Sequence, residues 1–130
     1  MREILFRGKK KDGEWVYGDL IPVLWDKPNI LDRNSSTDLD IYEATYSVNP
    51  KTVGQYTGLL DKNGNKIFEG DIIQYGKNLY IVEYHVEIGA TVCVRTNDVD
   101  HWPSFNVGTI KHTEIVGNIH DNPELLEVQS

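Results

Sequence analysis

A single cysteine, Cys93, in 130 residues excludes an internal disulfide framework and fits a reducing compartment. No apolar run approaches the roughly 20 residues that a membrane span requires. The opening MREILFRGKKKDGEW lacks the basic, apolar, small-residue order of a secretory signal, so a cytoplasmic protein away from membranes is expected. Basic residues are also scarce: 13 Lys+Arg stand against 20 Asp+Glu, a net charge of -7. Such a chain repels phosphate backbones overall, and nucleic acid is not the expected partner. The local exception is Lys9, Lys10 and Lys11 beside Arg2 and Arg7, a run read as a solvated turn. The G-x-S-x-G, P-loop and G-x-G-x-x-G patterns are all missing, which leaves hydrolase, nucleotide and dinucleotide chemistry without local support.

What the chain does have is short segments rich in Val, Ile, Tyr and Trp, punctuated by glycine and asparagine at spacings of about ten residues, the pattern of a small β-meander or barrel. The fold class expected is mainly β. REILFRG and EWVYGDLI form an N-terminal β-hairpin across KKKDGE, with Asp12-Gly13 making the tight reversal. Residues 26 to 40, polar and without a period of 2 or 3.6, read as a long loop. IYEATYSV is a short strand, and NPK turns the chain into TVGQYTG. DIIQYG, LYIVEYHV and ATVCVRT, with short connections, make three consecutive antiparallel strands. In the middle one, Tyr80, Val82, Tyr84 and Val86 are assigned to the core face. In TEIVGNIH, Gly117 marks a place where a neighbour approaches closely, and DNPELLEVQS carries the start signal of one helical turn. The organisation expected is an N-terminal hairpin region over residues 1–60, with a variable loop at about 24–50, and a C-terminal SH3-like barrel over 61–130, together one structural unit.

The stretch DKNGNKIFEGDI resembles a calcium loop at first sight. Counting from Asp61, oxygen-bearing residues fall at the first, third and fifth positions, Asp61, Asn63 and Asn65. The sixth position, where glycine is required, is Lys66, and the twelfth, where a bidentate carboxylate closes the cage, is Ile72. The stretch is therefore read as Asn63-Gly64 at the corner of a type I′ hairpin, followed by Gly70 as a turn and Asp71 as an acceptor for nearby backbone donors. His85, His101, His112 and His120 are too far apart for a local zinc motif, and Cys93 lies mid-strand as a packing residue. Glu69 and Asp71 share a strand face without any catalytic signature. Asp98, Asp100 and His101 are the one metal-site candidate, and Trp102 and Phe105, in a stretch without strand alternation, are candidate anchors of a protein interface or a plug over the end of the barrel.

Three blocks, REILFRGKKKDGEWVYGDL, VGQYTGLLDKNGNKIFEGDII and IVGNIHDNPELL, in this order and covering nearly the whole chain, resemble the YopX family of phage and prophage proteins. Residues 24 to 50 and the loop from Asn97 to Gly108 match no motif of that family. The resemblance implies a small, mainly β accessory protein of a bacteriophage or prophage, with no enzymatic activity, cofactor or catalytic residues to carry over. The function expected is non-enzymatic binding of a host or phage protein in the host cytoplasm, with self-association a further option. The alternatives are a metal-dependent hydrolase or nuclease built on Asp98, Asp100 and His101, and a nucleic-acid binder or acidic DNA mimic.

Overall fold

A computed structural model describes residues 3–24, 27–32, 44–85, 90–95 and 107–126. The chain divides into two units, Met1–Tyr56 and Thr57–Ser130. Both are built from antiparallel strands, and among the described residues helix is confined to single turns.

In the first unit β1 (Phe6–Lys9) and β2 (Trp15–Leu24) form the expected hairpin, with Phe6 opposite Gly18 and Lys9 opposite Trp15. β3 (Lys27–Asp32) pairs with β2, and β4 (Thr45–Ser47) with β3. A 3-10 turn, Pro50–Thr52, leads into β5 (Gly54–Leu60), whose first residues pair with β1. Period-2 alternation turns Val16 inward and Tyr17 outward. Val16, Ile30 and Val48 make the core, with Phe6, Leu20, Tyr46 and Val53 packed around it.

β3 corrects the reading of residues 26 to 40 as a loop: residues 27–32 are a strand, while 33–40 lie outside the described residues. The strand was hidden because it is short and Pro28 interrupts its pattern. Pro28 is tolerated because the β2–β3 register already shifts between Ile21 and Leu24, so a residue without an N–H loses little. Its carbonyl accepts the Val48 N–H at 3.1 Å, and Ile30, two residues on, is fully buried.

In the second unit, β6 (Lys66–Phe68) follows the last residues of β5, and a four-stranded sheet has the order β10-β7-β8-β9, with β7 Asp71–Tyr75, β8 Asn78–His85, β9 Ala90–Arg95 and β10 Glu114–Asn118. The three consecutive strands after Gly70 are thus present, joined first by the two-residue turn Gly76-Lys77. Among the described residues this sheet has two edges, β9 and β10, and is not closed into a barrel. A short helix α1 (Val107–Ile110) precedes β10, and the 3-10 turn Pro123–Leu126 stands where the Asn-Pro start signal places it. Ile67, Ile73, Tyr80, Val82 and Ile110 form the core, with Leu59 and Ile115 against it. Tyr84, assigned to the core with Tyr80 and Val82, is instead 51% exposed, and among the described residues it is not part of the cluster that buries those two. Val86 lies outside the described residues. β10 bulges between Ile115 and Gly117, and Gly117 leaves room for the Asn122 amide, whose Oδ1 accepts the Asn118 N–H at 3.2 Å.

The hairpin at Asn63-Gly64 has a different register from the type I′ turn read from the sequence. The Gly64 N–H donates to the Asp61 carbonyl, and the Asp61 N–H to the Asn65 carbonyl, so the corner is at Lys62-Asn63 and Gly64 follows it with φ +81°. This is a three-residue loop, a turn closed by a left-handed glycine. Lys10–Glu14 repeats it, with Gly13 bonded to the Lys10 carbonyl at φ +92°. Gly64→Ala is expected to cost about 1 kcal/mol in urea unfolding. That cost is backbone strain alone, because a Cβ there meets nothing within 4 Å. An unchanged midpoint would refute the strain.

Candidate functional site

Asp98, Asp100, His101, Trp102 and Phe105 lie outside the described residues. Among the described residues no group of three His, Cys, Asp or Glu side chains is placed to hold a metal ion. Cys93 stands opposite Val82 in the β8–β9 ladder. His85 Nε2 is 3.4 Å from Glu83 Oε2, two residues away on one strand face.

The Asp61 and Asp71 carboxylates serve the backbone. Asp61, 4% exposed, accepts the N–H groups of Asn63 and Asn65 on Oδ1, each at 2.9 Å, and that of Ile115 on Oδ2 at 3.1 Å. Burial by itself pushes its carboxyl up, but the donors from Ile115, Asn65 and Asn63 outweigh it and hold the group below the usual carboxylate range. The Lys62 N–H bonds the Thr113 carbonyl at 2.8 Å, so the turn is joined to the entry of β10 through both backbone and side chain. Asp71 is likewise buried, and its Oδ2 accepts the Phe68 N–H at 2.7 Å. Gly70, at φ +93°, turns the chain between them; its N–H reaches the Val82 carbonyl and its carbonyl the Ile119 N–H. The Asp61 oxygens that resembled the start of an ion cage accept N–H groups of their own chain.

Among the described residues of the first unit, a cleft of about 770 Å³ has the geometry of a binding site. One wall is the end of β1 and the following turn, Lys9, Lys10, Lys11 and Gly13; the other runs from Lys27 and Pro28 through Ser47 and Val48 to Asn49, Pro50 and Thr52. Its framework is tied by backbone bonds. The Asn49 N–H donates to the Lys9 carbonyl at 2.8 Å, the Lys9 N–H to Thr52 Oγ1 at 2.8 Å, and Thr52 Oγ1 to the Asn49 carbonyl at 2.6 Å. Asn49 Oδ1 caps the 3-10 turn by accepting the Lys51 N–H at 3.0 Å. Val48 is buried at the base, seated against Gly8, where any Cβ would lie 2.7 Å from its Cγ2.

Among the described lining residues four are lysines and none is acidic, in a chain whose acids outnumber its bases 20 to 13. The lysines differ in what holds them. Lys9 Nζ lies 5.8 Å from the centre of the Trp15 ring, over which the Arg7 guanidinium also stacks at 4.7 Å. Lys10 Nζ is 2.7 Å from Glu14 and 3.7 Å from Asp12, and 4.9 Å from the centre of the Tyr46 ring. The hydrogen bond to Glu14, opposed by desolvation and aided by Asp12, raises the Lys10 ammonium above its ordinary value. Lys11 and Lys27 are exposed. The basic run was visible in the sequence, but Lys27 was not linked to it. The link is made by β1–β2 and β2–β3 pairing, which no local pattern announces.

Comparison with known proteins agrees with this architecture. A search of curated proteins finds no match. A solved structure titled "Crystal structure of protein EF1440 from Enterococcus faecalis" is similar over 97% of this chain and 99% of its own, with a TM-score of 0.61 and 23% identity, a likeness of fold. The sequence profile described as YopX protein matches residues 5–127, nearly the whole chain. The protein belongs to the YopX family.

Proposed function

We propose that this chain is a non-enzymatic protein-binding β-module, an accessory protein of a phage or prophage that acts on a host or phage protein in the host cytoplasm. The observation that carries the reading is the cleft of the first unit, with four lysines and no carboxylate among its described lining residues. The family supports the phage origin. The buried acids Asp61 and Asp71 are engaged by backbone N–H groups, which suits a binding scaffold rather than a reaction centre. An SH3-like barrel is the architecture proposed for the second unit, and Trp102 and Phe105 are proposed as further anchors for the partner.

Site-specific photo-crosslinking from Ser47, in the lining of the cleft, tests this in cells that carry the phage. Discrete protein adducts are expected, and Lys11→Glu with Lys27→Glu should reduce them about tenfold, since each reversed exposed contact is worth up to about 1 kcal/mol. Adduct yields that are equal in the parent and the double variant would overturn the assignment to this cleft. A Trp102→Ala, Phe105→Ala chain measures the contribution of the aromatic pair in the same assay.

A further inference from the structure

Resting on the protein-binding reading, we propose that the lysine-lined cleft of the first unit takes an acidic peptide segment of the partner, and that Glu14 is the internal competitor such a segment displaces from Lys10. The charge pattern selects an anion. Lys9, Lys10, Lys11 and Lys27 line one concavity with no carboxylate among the described lining residues, and the described carboxylates paired with a lining lysine are Asp12 and Glu14, both on Lys10. Concave placement of cations of one sign focuses their field despite the net charge of -7.

The size and chemistry of the lining separate a peptide from a nucleic acid. A cleft of about 770 Å³ accommodates a short segment rather than a strand, being of the scale of pockets of about 300–1,000 Å³. A single-stranded nucleic acid is held by bases stacked on aromatic rings. Among the described residues no aromatic ring lines this cleft: Trp15 is occupied by Arg7 and Lys9, and Tyr46 by Lys10. Lysine ammonium groups are compact point charges without the fork that makes arginine the residue for bidentate phosphate recognition. They suit carboxylates spaced along a flexible backbone. The Asn49 and Thr52 walls are fixed by their own hydrogen bonds, so little ordering of the framework accompanies binding.

The lysines are not equivalent, which gives the proposal its sharpest consequence. Lys11 and Lys27 make no ion pair among the described residues, whereas Lys10 is already held by Glu14 at 2.7 Å. An incoming carboxylate gains Lys11 and Lys27 outright and must compete for Lys10. Removing the Glu14 charge therefore strengthens binding, a gain that general damage to the fold does not produce.

The test uses the full chain and a fluorescently labelled oligoglutamate peptide, with oligodeoxythymidylate of equal charge alongside, titrated at low and at high salt. The parent is expected to bind oligoglutamate more tightly than the oligonucleotide, with affinity falling as salt rises. Lys11→Gln with Lys27→Gln is expected to weaken binding about tenfold, and Glu14→Gln to strengthen it about threefold. Amide resonances of residues 9–13, 47–49, 51 and 52 are expected to shift on titration. Tighter binding of the oligonucleotide, or equal oligoglutamate affinity in parent and double-glutamine chains, overturns the acidic-peptide assignment; an unchanged affinity in Glu14→Gln overturns the competitor role. If crosslinking from Ser47 still yields lysine-dependent protein adducts while oligoglutamate fails, the ligand class is wrong and the protein-binding reading stands. Failure of both assays removes both.

Discussion

Asp61→Ala is expected to lower stability by about 3 kcal/mol in urea unfolding and to flatten its dependence on acid pH. The carboxylate accepts three backbone N–H groups, two within its own turn and one, from Ile115, fifty-four residues away at the entry of β10. Hydrogen bonds to a charged acceptor contribute about 1.5–3 kcal/mol each at best, and alanine leaves three donors facing a site that is nearly closed to water. The folded-state carboxyl is held below its ordinary value. Its contribution is therefore complete above the unfolded value of about 4 and is lost as pH falls through the lower folded value. The parent should lose stability between about pH 5 and pH 2 more steeply than Asp61→Ala. Asp61→Asn, which keeps an acceptor and drops the charge, should fall between the two at neutral pH. Superimposable acid limbs for parent and alanine chains would show that the three contacts carry no net free energy.

The same residue shows how far the sequence could be read. Lys66 and Ile72 excluded a calcium cage, and Asn63-Gly64 announced a turn, because such composition has a local cause in the left-handed φ that glycine supplies. The turn's register was not legible. Asn63-Gly64 suits a two-residue corner as well as the last two positions of a three-residue loop, and the choice rests on Asp61 capping Asn63 and Asn65 while its other oxygen takes Ile115. The Lys10–Glu14 hairpin settles in the same way, with Asp12 Oδ1 accepting the Glu14 N–H at 2.9 Å. β3 escaped because Pro28 and its polar neighbours obscure six residues whose strand identity comes from pairing on both sides with β2 and β4. Tyr84 misled because alternation fixes a face and not how far the cover over that face extends. The cleft was half legible: Lys9 to Lys11 form a run in the sequence, but only the pairing of β1 with β2, and of β2 with β3, brings Lys27 to the same lining.

Gly8→Val is expected to cost about 3 kcal/mol, and to impair the cleft in whatever fraction of the chain still folds. Gly8 lies opposite Val16 in the β1–β2 ladder, and an added Cβ would stand 2.7 Å from Val48 Cγ2, 2.8 Å from its Cβ and 3.0 Å from Cγ1. Val48 has little freedom to retreat. Its N–H is bonded to the Pro28 carbonyl, the next N–H to the Lys9 carbonyl, and its side chain is buried with Val16 and Ile30. Relief must come from moving the Val48–Asn49 backbone, which breaks the tie to Lys9 and shifts both walls at once. Gly8→Ala should show the same effect at about 2 kcal/mol, and Val48→Ala alone should cost about 2 kcal/mol through lost burial. Because the alanine at 48 removes Cγ2 and Cγ1 and leaves its Cβ at 2.8 Å as the one remaining close approach, the double variant should be less destabilised than the sum of the singles by about 1 kcal/mol. Strict additivity in urea unfolding would mean that Gly8 is required for some reason other than the Cγ atoms of Val48. The coupling, if found, makes glycine at this position the condition under which β1 and the β4–Asn49 segment close to the distance that places four lysines around one cleft.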